Sequence, residues 1–254
     1  MSTHSATKGF TLVELSIVII IVGLIVTGVI GGQRLIQQAK LRTLISDKTD
    51  VETAVNNFRI EFRAVPGDMR NADSFWPACG GSANACNGDG NKHIDYADGN
   101  DAADESYTAW THLANSGHYP GAFTGDSDAT SKAGVTVPEA SFKQGVVITL
   151  LYDADLPSDP TFFSGNVILF GGATGAATLS DVPFLLPSQA MSVDAKIDDG
   201  QPDAGRVFAL DGSAASCINT GEYNVVDTYD SGGGPVPMDD VTAQGCAMVF
   251  ALGN

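Results

Sequence analysis

The first candidate for chemistry is Glu14, a carboxylate inside an apolar run that has no other charge. The run covers residues 10–32, which are 23 positions long. Burying a charge costs about 2.5–3.5 kcal/mol at the centre of a membrane helix and less near the surface, so Glu14 either faces the headgroup region or has a partner. Lys8 and Gly9 precede the run. A cut after Gly9 would leave an α-amino cation on Phe10, and Glu14 of a neighbouring chain could pair with it.

A second candidate is the segment 87–98, where oxygen-bearing side chains recur at the spacing of a calcium-binding EF-hand loop. They occupy positions 1, 3, 5, 9 and 12 of the segment, as Asn87, Asp89, Asn91, Asp95 and Asp98. Ile94 at position 8 also fits. However, Lys92 replaces the turn glycine at position 6, and an aspartate replaces the bidentate glutamate at position 12. The alternatives are a calcium site and a solvated Asp/Gly loop.

Four cysteines are the next reactive side chains, and they permit three disulfide pairings. The short Cys79/Cys86 spacing and the late Cys217/Cys246 spacing favour two local bridges in an oxidising compartment. Neither pair has the two-residue spacing of a zinc site, which argues against metal binding by the thiols.

The elements that position these groups begin with one long helix. As a helix, residues 10–32 extend about 34 Å, enough to cross a bilayer. Beyond them, apolar residues recur at steps of three and four until Pro66 breaks the pattern, which predicts an amphipathic continuation. The apolar positions are Leu41, Leu44, Ile45, Val51, Val55, Phe58 and Phe62.

The junction at residues 8–15, which reads KGFTLVEL, gives the chain its family resemblance. Followed by an apolar helix, this string resembles the prepilin signature of type IV pilins and of type II secretion pseudopilins. The resemblance is strong over residues 8–32 and looser to about residue 70. The Pro-Gly-Asp at residues 66–68 is similar to the turn that follows the first helix in larger pilin-like proteins.

The resemblance implies how the chain is processed and assembled. A membrane prepilin peptidase is expected to cut after Gly9 and to methylate the new amino group of Phe10. Glu14 then becomes the fifth mature residue, to which the family assigns a docking role in assembly. The implied partners are the prepilin peptidase, copies of the chain or related pilins, the inner membrane and the filament assembly machinery. A C-terminal loop closed by Cys217 and Cys246 would also resemble pilins, and some pseudopilins bind calcium.

The predicted fold is α+β, with the long helix packed on an antiparallel sheet and its apolar half protruding. Strands are predicted at residues 146–151, 167–170, 207–210 and 247–252, and a short helix capped by Ser188 is predicted to reach Ile197. Residues 67–105 are expected to be irregular. The domain plan is a leader at 1–9, a membrane or filament-core helix at 10–32, its continuation at 33–65 and a body at 66–254.

Charge separates the two parts of the chain. Residues 1–70 hold eight Lys/Arg and six Asp/Glu, whereas residues 71–254 hold five and twenty-four. So acidic a body would repel phosphate backbones, and nucleic acid is not expected as a partner. Arg34, Lys40 and Arg42 after the apolar run favour a cytoplasmic body by the positive-inside rule. The family resemblance implies a periplasmic one, on a single-pass anchor in the bacterial inner membrane and later in a filament.

Motifs of known enzymes are missing from the sequence, which has no Gly-x-Ser-x-Gly elbow, Walker loop or His-Glu-x-x-His. His112 and His118 are predicted to belong to an aromatic-rich surface and not to a catalytic pair. No enzyme activity and no resident cofactor other than calcium is therefore expected. The expected function is that of a structural subunit of a type IV pilus-like filament. The alternatives are a type II secretion pseudopilin or a minor pilin with an adhesive or ligand-binding body.

Overall fold

One helix of 51 residues, α1 (Leu12–Phe62), opens the part of the chain that the structure describes. The structure is a computed structural model, and it describes residues 11–77, 79, 86–96, 104–125, 132–153, 156, 165–173, 179–211, 217–219, 222–223 and 245–253. The chain forms two compact units, Met1–Lys40 and Leu41–Asn254, and α1 contributes to both. The predicted domain limits remain predictions.

The N-terminal part of α1, up to residue 31, is largely apolar and exposed. Every side chain from residue 11 to residue 31 is exposed to solvent. By length and composition this segment is able to cross a membrane. Because β-branched residues such as Ile17 to Val22 form helices poorly in water, the helix here suits a lipid environment, in which the backbone must satisfy its own hydrogen bonds.

The part of α1 in the second unit buries the predicted apolar stripe. Leu44, Val51 and Phe58 are fully buried, and Leu41 and Val55 nearly so. These residues belong to the same buried cluster as the central residues of the sheet. The helix ends at Phe62, before Pro66.

Four antiparallel strands form the main sheet, in the order β1-β2-β6-β3. They are β1 (Val146–Tyr152), β2 (Asn166–Gly172), β3 (Val207–Asp211) and β6 (Cys246–Ala251). All four strands were predicted, and most of the predicted strand ends differ from the observed ones by one or two residues. A short pair, β4 (Ile218–Asn219) and β5 (Glu222–Tyr223), was not predicted. The observed arrangement is α+β, as the sequence indicates.

The two faces of the sheet lie in different apolar clusters. Ile148, Ile168 and Phe250 share one cluster with α1 and with α2 (Glu105–Asn115). The opposite face carries Leu169 and Val249, which belong to a smaller cluster that includes Leu179. Because both faces are covered, the strands are mostly apolar and show no regular alternation with polar residues.

The helices after α1 differ in two ways from the prediction. No helix was predicted at α2, which begins after Asp104, whose carboxylate accepts a hydrogen bond from the Ser106 amide at 3.1 Å. The predicted Ser188 cap is wrong, because α3 (Pro187–Ile197) already starts at Pro187. Proline suits the first helical position, where its missing N–H has no intrahelical acceptor.

Two disulfides are present, Cys79–Cys86 and Cys217–Cys246. They are the two local bridges that the spacing favours. The second one ties the first residue of β6 to a residue directly before β4, so it attaches the small strand pair to the main sheet.

Candidate functional site

Glu14 takes part in a capping box at the start of α1. Its Oε2 accepts hydrogen bonds from the Thr11 backbone amide at 2.9 Å and from the Thr11 hydroxyl at 2.8 Å. In return, the Glu14 amide lies 3.2 Å from the Thr11 hydroxyl oxygen and donates to it. This reciprocal pattern satisfies two amides that the first turn of a helix leaves without partners.

The cap gives Glu14 a local role that the sequence analysis missed. The signal was present, since a threonine three residues before a glutamate is the capping-box pattern. Glu14 and Thr11 are both exposed, so the carboxylate remains accessible to a second partner. The predicted processing residues Gly9 and Phe10 lie outside the described residues. The assembly role of Glu14 remains a prediction.

A second group of polar residues gathers where α1 gives way to the body. Gly67 has a φ of +93°, and a Cβ there would lie 2.5 Å from the Glu105 carbonyl oxygen, so only glycine fits. The Gly67 amide donates to Nδ1 of His112 at 2.9 Å. Nε2 of His112 lies 2.9 Å from the Cys86 carbonyl oxygen and must carry the proton, since Nδ1 is an acceptor.

His112 is therefore a neutral structural group. It is fully buried and stacks on Phe58 with 5.9 Å between ring centroids. Burial lowers the pKa of His112 to about 4, because the apolar surroundings disfavour the imidazolium. The prediction of an aromatic surface is thus wrong for His112, which belongs to the core.

Asp68 holds the loop that contains the predicted calcium residues. Its Oδ1 accepts from the Gly90 amide and from the Asn91 amide, the latter at 3.0 Å. Its Oδ2 accepts from the Lys92 amide at 2.7 Å. Asp68 is only 4% exposed, and this burial raises the pKa of its carboxyl above the usual value.

Glu105, the first residue of α2, binds the same loop on both sides of these amides. Its Oε1 accepts from the Asp89 amide at 3.0 Å and its Oε2 from the Asp95 amide at 3.1 Å. Burial raises the pKa of Glu105 to about 7, although these two hydrogen bonds act in the opposite direction. Two buried carboxylates thus organise the loop by accepting five of its backbone N–H groups.

The predicted calcium residues are only partly brought together. Nδ2 of Asn91 donates to Asp89 at 3.1 Å and to Asp95 at 2.8 Å, so these three side chains meet. Asn87 instead accepts a hydrogen bond from the Asp73 amide at 3.0 Å. Asp98 lies outside the described residues.

The backbone of the loop agrees better with the EF-hand pattern than its ligands do. Lys92, which replaces the turn glycine, has a φ of +74°, the left-handed conformation that glycine normally supplies. Ile94 is fully buried, and its carbonyl accepts a hydrogen bond from the Tyr152 amide of β1 at 2.8 Å. Carboxylate oxygens of Asp68, Asp89 and Glu105 lie within 4.8 Å of one another and are candidate ligands for a hard cation. Calcium binding remains a prediction.

Asp68, Glu105 and His112 are the site residues that sequence reasoning missed. Only Asp68 had a signal, because it completes the Pro-Gly-Asp turn. Glu105 and His112 lie 37 and 44 residues further along the chain, and their partners are backbone amides and carbonyls, which carry no residue signature.

The raised pKa of Glu105 predicts a pH-dependent stability. The folded protein binds the Glu105 proton more tightly than the unfolded chain, so this residue's contribution falls as pH rises from about 4.5 to about 7. Relative to Glu105→Gln, the wild type should lose about 1–3 kcal/mol of unfolding free energy over this range. Thermal unfolding of the full chain in detergent across pH measures the difference. Asp203→Asn is the control, and an equal slope in Glu105→Gln would contradict the assignment.

Calcium binding is tested by titration of the full chain in detergent. We expect heat of binding and a raised unfolding temperature at micromolar to millimolar calcium, the range of natural oxygen-ligand sites. Asp89→Ala should abolish both signals, whereas Asp203→Ala should keep them. If calcium produces neither heat nor stabilisation in the wild type, the loop is a structural element only.

Comparison with known proteins assigns the N-terminal segment. Residues 4–30 match the family described as the prokaryotic N-terminal methylation motif. Neither a curated protein nor a solved structure matches the chain. The matched segment contains Gly9, Phe10 and Glu14, and it runs into the exposed apolar part of α1. The chain therefore carries the N-terminal signature of the type IV pilins and pseudopilins, a group of structural and not catalytic proteins.

Proposed function

We propose that this protein is a structural subunit of a type IV pilus-like filament, assembled through its N-terminal helix. The observation that carries the proposal is the methylation motif at residues 4–30, which leads without interruption into the exposed apolar segment of α1. A secretory signal would place its cleavage site after the apolar segment and lose it. Cleavage after Gly9 retains the segment in the mature protein.

The exposed apolar segment requires a cover, which lipid provides before assembly and neighbouring helices provide afterwards. Gly23, Gly28, Gly31 and Gly32 support close packing of such helices. A Cβ at any of these positions would meet nothing within 4 Å, so the described chain itself gives no reason for glycine there. In membrane helices, small residues let backbones approach closely.

Glu14 gives this assembly its register. In the single chain its carboxylate caps α1 through Thr11 and remains exposed. Cleavage after Gly9 would create an α-amino cation on Phe10, and the Glu14 carboxylate of a neighbouring subunit is its natural partner in an apolar filament core. Removing both charges from lipid is costly unless they pair, so the pair also fixes the axial position of one subunit against the next.

The partners and location follow from this function. They are the prepilin peptidase, copies of the chain or related pilins, and the assembly machinery of the bacterial inner membrane. The body is placed in the periplasm before assembly, which the two disulfides support because they need an oxidising compartment. After assembly the subunit belongs to an extracellular or periplasmic filament.

A type II secretion pseudopilin is the second candidate, and a minor pilin is a variant of the first. The size of the body favours a specialised subunit, since the segment from Pro66 to the end has 189 residues and would be bulky in a closely packed major filament.

Processing gives the first test. The mature protein isolated from membranes should start at an N-methylated Phe10, because the resemblance of residues 8–15 to prepilins implies a cut after Gly9. Intact-mass analysis with N-terminal peptide mapping measures this. Gly9→Val should block the cut, and Gly32→Val is a control outside the cleavage motif. A wild-type protein that retains Met1 or Ser2 would contradict the proposal.

Glu14 gives the second test, because its capping role and its charge are separable. Glu14→Gln preserves a capping-box side chain without the charge, whereas Glu14→Val removes both. If register depends on the charge, both variants should be inserted and cleaved normally but should form at least about tenfold fewer filaments than the wild type, a loss equivalent to about 1.4 kcal/mol. Filament yield and protein export are measured side by side in cells that lack the native copy.

The pattern of losses separates the candidates. Loss of surface filaments alone indicates a pilin, and loss of export alone indicates a pseudopilin. Normal filament yield and normal export in both variants would remove Glu14 from the mechanism.

A further inference from the structure

An open groove with a volume of about 560 Å³ lies where α1 ends, and its charged lining is almost entirely basic. Arg59, Arg63, Arg70 and Lys92 line it, together with apolar side chains that include Phe62 and Met69. From residue 59 onward the sequence has only eight lysines and arginines, so half of them meet here on a chain with a net charge of −17.

The positive charge of the groove is not neutralised within the described residues. Among the lining residues that the structure describes, Asp68 is the one carboxylate, and its oxygens already accept the amides of the loop. The ion pairs of the described chain use other cations, namely Lys48, His118 and Arg206. Arg59 donates to the Gly253 carbonyl oxygen at 2.5 Å, whereas Arg63, Arg70 and Lys92 are exposed and have no carboxylate within 4.0 Å in that part of the chain.

Two of these cations occupy strained backbone positions. Arg63 has a φ of 54° and Lys92 a φ of 74°, and they are the only non-glycine residues with a positive φ among those that the structure describes. Arg63 directly follows the last residue of α1, where glycine is the usual residue because it has no Cβ to clash. Glycine would relieve the strain at both positions. Strain that persists at a surface site points to a use for the side chain.

We propose that this groove binds the acidic surface of a second copy of the chain and so sets the lateral contact between bodies in an assembly. The inference rests on the proposed function, since it concerns subunits that meet side by side. Charge complementarity identifies the occupant, because residues 71–254 carry twenty-four Asp/Glu against five Lys/Arg. Two such bodies repel each other except where the basic groove of one faces the acidic surface of the other.

The geometry of this contact suits a filament. The groove and the acidic surface carry opposite charge and are different patches, so the contact is heterologous, and a pair of subunits keeps one free groove and one free acidic surface after binding. Repeated heterologous contacts produce an open helical array when the rotation does not close a ring. The same charges add selectivity, because a neighbour with a basic surface would be repelled.

The contact is tested by measuring self-association of the processed full chain in detergent, at about 0.02 M and about 0.5 M salt, because salt screens contacts between exposed charges. The triple variant Arg63→Glu, Arg70→Glu, Lys92→Glu should associate at least about tenfold more weakly than the wild type at low salt and should lose the salt dependence. Lys196→Glu makes the same kind of charge change at an exposed residue of α3 and should have no effect.

A glycine pair keeps the test valid if the triple variant folds poorly. Arg63→Gly with Lys92→Gly removes two cations and relieves both positive-φ positions, so its unfolding temperature should be equal to or above that of the wild type. Its self-association should nevertheless fall by at least about threefold. A purely structural role for these residues would leave association unchanged.

Three outcomes would overturn the inference. The first is association of the groove variants at the wild-type level, and the second is an equal loss of association in Lys196→Glu. The third concerns binding to phosphatidylglycerol vesicles, measured on the same variants: if they lose vesicle binding but keep self-association, the occupant is a lipid. Failure of the proposed function is recognised separately. If Phe10 is processed and Glu14 is required while the groove variants associate normally, only the groove inference fails.

Discussion

Hydrogen bonding to the Asp68 carboxylate is the constraint on which the order of the loop after α1 depends. Asp68 follows the turn that ends α1, and its carboxylate accepts the backbone amides of three successive loop residues, 90–92. Such a carboxylate replaces strand pairing for a segment that has none of its own. Burial raises the pKa of Asp68, whereas the hydrogen bonds from the loop amides act in the opposite direction and favour the charged carboxylate. Glu105 accepts a further amide of the same loop, that of Asp89. His112 links the turn to α2 as a neutral side chain, by accepting the Gly67 amide.

This chemistry explains which parts of the protein the sequence predicts. The long helix, the four main strands and the α+β arrangement follow from apolar periodicity, which is a local signal. The start of α3 was misplaced because two local preferences compete there. Serine favours the cap position, which would put the cap at Ser188, but proline favours the first helical position, and Pro187 occupies it. Helix α2 escaped prediction because its face is almost wholly buried, so that polar residues such as Ser106 and Thr108 lie inside with the apolar ones and blur the helical pattern.

The candidate site residues also differ in whether they have a local signal in the sequence. Glu14 was found because a charge in an apolar run stands out, and its Thr11 cap had a recognisable spacing. Side-chain spacing singled out residues 87–98 as a calcium site, which remains a prediction, but the groups that order the described part of this loop are Asp68 and Glu105. These two are separated by 36 intervening residues, and their partners are backbone amides. A contact between a side chain and a distant backbone leaves no pattern along the chain.

The loop also links folding to the distribution of charge. Its amides require the acceptors that Asp68 provides, and the Lys92 amide can reach Oδ2 of Asp68 while Lys92 itself adopts a positive φ. A glycine would meet this backbone requirement with less strain, but it would leave the groove without one of its four cations. The carboxylate that orders the loop thereby determines where a positive side chain emerges on an acidic body. Fold and surface charge are not independent here, because one buried negative group positions an exposed positive one.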